Sequence, residues 1–247
     1  MDYRRTYVKD LLAMSPGGDV DAYGWVKTRR DSKGVSFVQL SDGSCFRDLQ
    51  VVIEAGTFPE ETLKQLTTGA AVRLSGRLVE SPGSGQTVEL KAREVEIFGP
   101  ADPAVYPLQK KGATMEYLRE IAHLRARGNT FGAVFRVRAE ASYAIHKFFY
   151  DRGFRNVHTP IITASDCEGA GAMFSVSAVL EVNETVNAKS SGEQGHVYRL
   201  RSDNPREDFF GKPAFLTVSG QLEAESLAMG LTNVYTFGPT FRAENSN

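Results

Sequence analysis

The sequence has 247 residues, 41% hydrophobic and 24% charged, with a net charge of −1. That is long enough for two domains with their own cores, and it excludes a polycation that holds nucleic acid through overall charge. Cys45 and Cys167 stand far apart without a CxxC partner, so a reduced, cytoplasmic compartment fits better than a disulfide and no metal-ligand spacing is visible. The N-terminal MDYRRTYVKDLLAM lacks the apolar core of a signal peptide, and no run of about 18 apolar residues occurs, so no membrane partner is expected.

Tyr7, Val8, Leu11 and Leu12 fall on one side of a short N-terminal helix. From Val20 the period becomes two: Val20, Ala22, Gly24 and Val26 alternate with polar or bulky residues, predicting a strand. Gly34–Leu40 and Leu49–Ile53 continue as strands around the turn Ser41-Asp42-Gly43. Pro59 opens a short helix, PEETLKQL, with acids near its positive end. Strands are predicted over Ala70–Val79 and Gln86–Phe98, the second changing phase at Arg93-Glu94, which suggests a bulge. Residues 81–85 join them as a hairpin loop without the GK[ST] of a phosphate loop. Five short strands with one helix between the third and fourth is the order of an OB-fold barrel, which holds single-stranded nucleic acid on aromatic rings and basic side chains. GWVKTRRDSKGVSF has that composition, with Lys27, Arg29, Arg30 and Lys33 near Trp25 and Phe37; a solvated sheet edge is the plainer reading of the same residues.

Residues 100–107, PADPAVYP, predict a proline-rich hinge, and 110–127 carry an excess of basic residues that suits either a helix facing a polyanion or a solvated one. Val134, Val137, Ala141, Ala144, Ile145, Phe148 and Phe149 then make a wide apolar stripe at helical spacing, closed by Gly153 and followed by a strand over Phe154–Val157. By pattern alone this is a core helix and strand. Thr163–Phe174 is a loop of small residues with two acids, Asp166 and Glu168, suited to close approach to a ligand or to a mobile surface loop. Residues 176–210 are polar and weakly patterned. Phe215–Val218 predicts a strand entering a helix at Ser219–Glu225, and Val234–Phe237 a strand before the turn Gly238-Pro239. A further strand from Thr240-Phe241 would carry Arg242 and Glu244 on one buried face, as an anion-plus-amine reader or as an ordinary ion pair.

TFGPTFRAEN resembles motif 2 of the class II aminoacyl-tRNA synthetases, and with VSGQLEAE and TASDCEGAGAMF the chain is most similar to the asparagine enzymes of the class IIb group. GWVKTRRD…SF…LQVV is similar to that group's anticodon-binding domain. The resemblance implies an α+β chain: a five-stranded OB-fold β-barrel over 1–100, a hinge over 101–128, and over 129–247 the first part of a class II antiparallel-sheet catalytic domain, ending within motif 2. It implies that Phe37 stacks on an anticodon base while Arg30 and Gln50 read base edges. It implies that Glu168 and Gln221 hold the amino acid, that Arg242 grips the ATP α-phosphate in catalysis, and that Glu244 accepts from the adenine amine. The partners implied are tRNA(Asn), asparagine, ATP and Mg2+, in a homodimer built through the stripe helix.

Aspartate enzymes of the group place a lysine where this chain has Ala224, followed by Glu225. A buried carboxylate there would repel aspartate and accept from the amide of asparagine. The family often has Asn or Tyr at the position of Glu223. The alternatives are an aspartate–tRNA ligase, disfavoured by Ala224 and Glu225, and a non-catalytic tRNA-binding barrel; a class II asparagine synthetase lacks the barrel of residues 20–98. With the later motifs beyond Asn247, asparagine-dependent pyrophosphate exchange by residues 1–247 alone is expected to be absent.

Overall fold

The computed structural model describes residues 5–83, 85–108, 112–165, 173–178, 180–187, 194–200 and 204–244, with backbone alone for 180–187 and 194–200. The chain divides into two compact units, Met1–Ala139 and Glu140–Asn247.

The first unit is built on α1 (Val8–Leu11), β1 (Asp19–Ser32), β2 (Val35–Ser41), β3 (Leu49–Glu54), α2 (Glu60–Gln65), β4 (Ala71–Glu80) and β5 (Val88–Gly99). The five strands close into a barrel in the order β1-β2-β3-β5-β4. Its interior is the alternating apolar set anticipated from the sequence: Ala22 and Val26, Val38 and Leu40, Val51 and Ile53, Leu74 and Leu78, Leu90 and Ala92. Val8 and Leu11 of α1 join this core at 1% and 0% exposure.

β1 pairs antiparallel with β4 through Asp19–Trp25 and with β2 through Trp25–Ser32. Trp25 belongs to both ladders. At Gly24 a Cβ would lie 2.5 Å from the Ser41 carbonyl oxygen, so only glycine lets the strand bend there. The β1–β2 register then slips between Val26 and Thr28, leaving Lys27 as the extra residue. The phase change in β5 is likewise a bulge: Gly76 faces Ala92 and Ser75 faces Glu94, with Arg93 between. A Cβ at Gly76 would run into the Lys91 carbonyl.

The turn after β2 is organised by Asp42, 9% exposed. Its Oδ2 accepts from Val8 N at 2.9 Å, and its Oδ1 from Ser44 N at 2.9 Å and Ser44 Oγ at 2.6 Å. Burial pushes this carboxyl up, but the Ser44 hydroxyl, the Val8 and Ser44 amides and the Arg5 guanidinium together hold it below the ordinary carboxylate value.

The rest of the first unit is α3 (Met115–Glu120), a 3₁₀ turn at Arg125–Arg127 and the start of α4 (Asn129–Tyr150), whose second half belongs to the other unit. Ala101, Tyr106 and Arg136 lie against the barrel. Thr67 Oγ1 donates to Ala101 O at 2.5 Å, the Tyr106 ring covers Gly69, and Arg136 donates to Gly43 O at 2.8 Å and Cys45 O at 3.0 Å.

The second unit contains β6 (Arg155–Asn156), β7 (Ile162–Thr163), β8 (Leu180–Asn187), β9 (Gln194–Leu200), β10 (Phe215–Leu216), α5 (Gln221–Leu231) and β11 (Val234–Tyr235). β10 pairs antiparallel with β7, and β11 pairs parallel with β6. Within 176–210, β8 pairs antiparallel with β9. Two expectations are corrected here. The stripe on α4 is not a core stripe: only Phe131 and Gly132 of the helix are buried, while Val134, Val137 and Phe148 are 42%, 67% and 51% exposed. Residues 240–244 form no strand.

Two outcomes test this architecture. Gly76→Ala should destabilise the barrel by about 1–3 kcal/mol through backbone overpacking. Gly18→Ala, where nothing lies within 4 Å, should not, as read by thermal unfolding. Asp42 has a folded-state value below its unfolded one, so its contribution is full above pH ~4 and is lost as pH falls through the folded value. The stability gap between the parent chain and Asp42→Asn, about 1–3 kcal/mol at neutral pH, should therefore shrink on acidification in denaturant titrations.

Candidate functional site

On the first unit, cross-strand register assembles one outer face. Arg30 of β1 is opposite Phe37 of β2, Phe37 is opposite Val52 of β3, and Val52 is opposite Lys91 of β5. The adjacent row runs Thr28, Gln39, Gln50. Directly opposed residues share a face, so Arg30, Phe37 and Gln50, far apart in sequence, are brought together. The Arg30 guanidinium lies 5.3 Å from the Phe37 ring centroid. Beside them is an open groove of about 960 Å³ lined by Phe37, Val52, Glu54, Pro82, Glu89 and Lys91.

Glu89, which the sequence did not single out, is 5% exposed. Its Oε2 accepts from Gln50 Nε2 at 2.9 Å, Ser81 Oγ at 3.2 Å and Gln86 Nε2 at 3.4 Å. A carboxylate only accepts, so it orients the Gln50 amide with its nitrogen inward and its carbonyl oxygen available to a base edge. The signal was a lone acid between the core residues Val88 and Leu90.

The basic cluster is less available than its composition suggested. Lys27 Nζ is held by both carboxylate oxygens of Asp48, at 3.1 and 2.9 Å. Arg29 bonds Asp31 at 2.9 Å and also donates to the Leu63 carbonyl. The Trp25 ring is covered by the Arg127 guanidinium, 4.3 Å from its centroid. Arg30 and the exposed Lys33 remain turned to the outer surface.

On the second unit, Thr217 ties three segments together. Its N–H donates to Ile161 O at 2.8 Å, its carbonyl accepts from Phe241 N at 2.9 Å, and its hydroxyl donates to Ser219 O at 2.5 Å. Ser219 Oγ in turn accepts from Gln221 N at 3.1 Å at the start of α5. Gly220 packs where a Cβ would meet the Thr159 side chain. Gln221 Nε2 donates to Glu225 Oε1 at 2.8 Å, joining two of the expected amino-acid-binding residues on one helix face.

Arg242 and Glu244 follow Phe241 outside any helix or strand, both exposed. One ladder-like bond at Phe241 is too little to make a strand, and the buried-strand expectation for this pair is corrected. Glu225 is also exposed, so the expected buried carboxylate is not seen and its selectivity cannot be counted at the full cost of an unpaired buried charge. Glu168 and Asp166 lie outside the described residues. Among the described residues no group of three or more His, Cys, Asp or Glu is placed to hold a metal ion, and no helix is long and apolar enough to cross a membrane.

A closed five-stranded barrel with a basic and aromatic outer face is the geometry of a nucleic-acid-binding module. The family model described as OB-fold nucleic acid binding domain matches residues 20–98. That for tRNA synthetases class II (D, K and N) matches residues 114–247, and the chain belongs to this family. Over 242 residues it is 57% identical to an asparagine–tRNA ligase of Solibacter usitatus, covering 98% of this chain and 49% of that relative. Over 234 residues it is 59% identical to one from Syntrophobacter fumaroxidans, covering 94% and 47%. Its fold matches the asparaginyl-tRNA synthetase of Pyrococcus horikoshii complexed with asparaginyl-adenylate at a TM-score of 0.77 and 22% identity, over 99% of this chain and 49% of that one. The chain thus spans about half the length of the curated relatives it matches.

The outer face predicts a graded response. Phe37→Ala should weaken binding of a uridine-containing RNA loop by about 5- to 100-fold, the range for loss of one base–aromatic stack. Lys27→Ala, whose ammonium is already held by Asp48, should change it less than about twofold. Fluorescence anisotropy at fixed salt reads both.

Proposed function

We propose that this chain supplies the anticodon-binding barrel and the amino-acid and nucleotide-binding segments of an asparagine–tRNA ligase. The observation that carries this reading is identity of 54–59% to asparagine–tRNA ligases across nearly the whole chain, joined to a barrel face on which Arg30, Phe37 and Gln50 converge. Phe37 stacks on an anticodon base of tRNA(Asn), while Arg30 and the Glu89-oriented Gln50 amide read base edges. In the second unit a carboxylate oxygen of asparagine attacks the α-phosphorus of ATP, and pyrophosphate leaves. A terminal ribose hydroxyl at the 3′ end of the tRNA then attacks the carbonyl carbon of the adenylate, forming the ester as the anhydride bond breaks and AMP leaves.

The chain's own residues contribute positioning and charge. Arg242 grips the α-phosphate and stabilises the charge that develops there, Glu244 accepts from the adenine amine, and to Glu168 we assign the pairing with the substrate amine. The amide nitrogen of Gln221 is committed to Glu225, so its carbonyl oxygen faces the ammonium of the amino acid. Ala224 leaves no lysine to neutralise an aspartate side chain, which favours asparagine. The described residues do not form a cluster for Mg2+, so no step is assigned to a protein-held metal. The exposed apolar face of α4 suits a second copy of the chain in a homodimer. We place the protein in the cytoplasm, with 1–100 as the barrel domain, 101–128 as the connecting segment and 129–247 as catalytic-domain sequence.

A chimaera continuing this chain with the remaining half of the Solibacter usitatus relative provides the test. Asparagine, and not aspartate, should drive ATP–pyrophosphate exchange, and Arg242→Ala should lower its kcat/KM by about 10²–10³-fold. Exchange driven equally by aspartate, or indifferent to Arg242→Ala, would contradict the proposal.

A further inference from the structure

β11 is the last strand before Arg242 and Glu244, and its ladder is short. Val234 and Tyr235 pair with Arg155 and Asn156, while Arg155 N and Val157 N donate to Asn233 O at 2.9 Å and Tyr235 O at 3.0 Å. A ladder of this length specifies position weakly. Side chains supply the rest. The Tyr235 ring stacks on Phe149 with centroids 4.4 Å apart and 15° between planes. Its hydroxyl oxygen lies 2.7 Å from His146 Nδ1. Phe237 meets the same imidazole edge-on at 4.9 Å.

His146 and Phe149 are one turn apart on α4, so one helix face holds both aromatic side chains of the Tyr-Thr-Phe run. The two contacts differ in kind. An offset stack tolerates sliding of one ring over the other, whereas a hydrogen bond is directional and fixes the tyrosine along its long axis. A phenylalanine at position 146 would fill the same space without that restraint. Beyond Tyr235 the chain turns at Gly238-Pro239, is caught once more where Phe241 N meets Thr217 O, and reaches Arg242.

We propose that His146 is a positioning residue for the nucleotide-binding segment: by bonding Tyr235 it sets where Arg242 and Glu244 stand. The role rests on the assignment of those two residues to ATP, and His146 itself touches no substrate. Deleting the bond loosens the segment while leaving the barrel unchanged.

The test uses the 247-residue chain and three variants: His146→Phe, which keeps a ring and loses the bond; His146→Asn, which restores a polar atom near the place of Nδ1; and Tyr235→Phe. Amide hydrogen exchange at Phe241 should quicken by about five- to tenfold in His146→Phe and Tyr235→Phe. It should return to within about twofold of the parent in His146→Asn. The Tyr235 Cζ resonance, which reports the hydroxyl's hydrogen bond, should move in His146→Phe and return in His146→Asn. Unchanged exchange at Phe241 despite a moved Tyr235 resonance would overturn the proposal, as would failure of His146→Asn to restore it. Should His146→Phe unfold the second unit, Tyr235→Phe, which removes one oxygen, decides alone. Titration with ATP examines the underlying assignment separately. In the chimaera completed with the Solibacter usitatus half, ATP-induced shifts at Glu244 that weaken at least about tenfold in Arg242→Ala support it, and shifts indifferent to that substitution overturn it without touching the exchange result.

Discussion

The first unit depends on β1 being able to pair along both edges. This 14-residue strand serves β4 with its first half and β2 with its second, the two ladders meeting at Trp25. Gly24 permits the bend, Trp25 stands in both ladders, and the slip at Lys27 resets the phase. That slip has a chemical consequence. Without it the inward series Ala22, Gly24, Val26 would continue through Thr28 and Arg30 into the barrel. With it, Thr28 and Arg30 face outward beside Gln39 and Phe37. The same extra residue sends its ammonium to Asp48, so the cation that allows the phase change is itself neutralised. That Arg30, Phe37 and Gln50 share this face is a property of register, with composition secondary.

The second unit uses fewer paired residues to hold its segments. Its strands β6, β7, β10 and β11 each have two residues. Thr217 compensates by bonding Ile161 and Phe241 through its backbone and Ser219 through its hydroxyl. The His146–Tyr235–Phe149 cluster does the same for β11. Single side chains here carry positional information that a longer ladder would otherwise supply, so conservative-looking substitutions among them have local effects.

Much of the barrel was legible because period-two burial, turn residues and the Arg93-Glu94 phase change each have a direct structural counterpart. Arg30 and Phe37 stood out by composition and Gln50 only through resemblance, and nothing in their spacing announces that three strands place them side by side. Glu89 was missed because a lone acid in an apolar run gives no sign of the amides that surround it. The α4 stripe was read as core because helical periodicity reports an apolar face and not what covers it. Arg242 and Glu244 were assigned to a strand from local β propensity, but a strand also needs a partner edge, and the one bond of Phe241 to Thr217 does not make a ladder.

The account turns on Phe37 standing under an anticodon base. An anticodon stem-loop of tRNA(Asn) carrying 4-thiouridine at its middle position, irradiated in complex with the chain, measures this directly. The prediction is a crosslink to the β2 peptide that contains Phe37. A crosslink confined to residues 112–127, or one that persists equally with a scrambled loop, would contradict it.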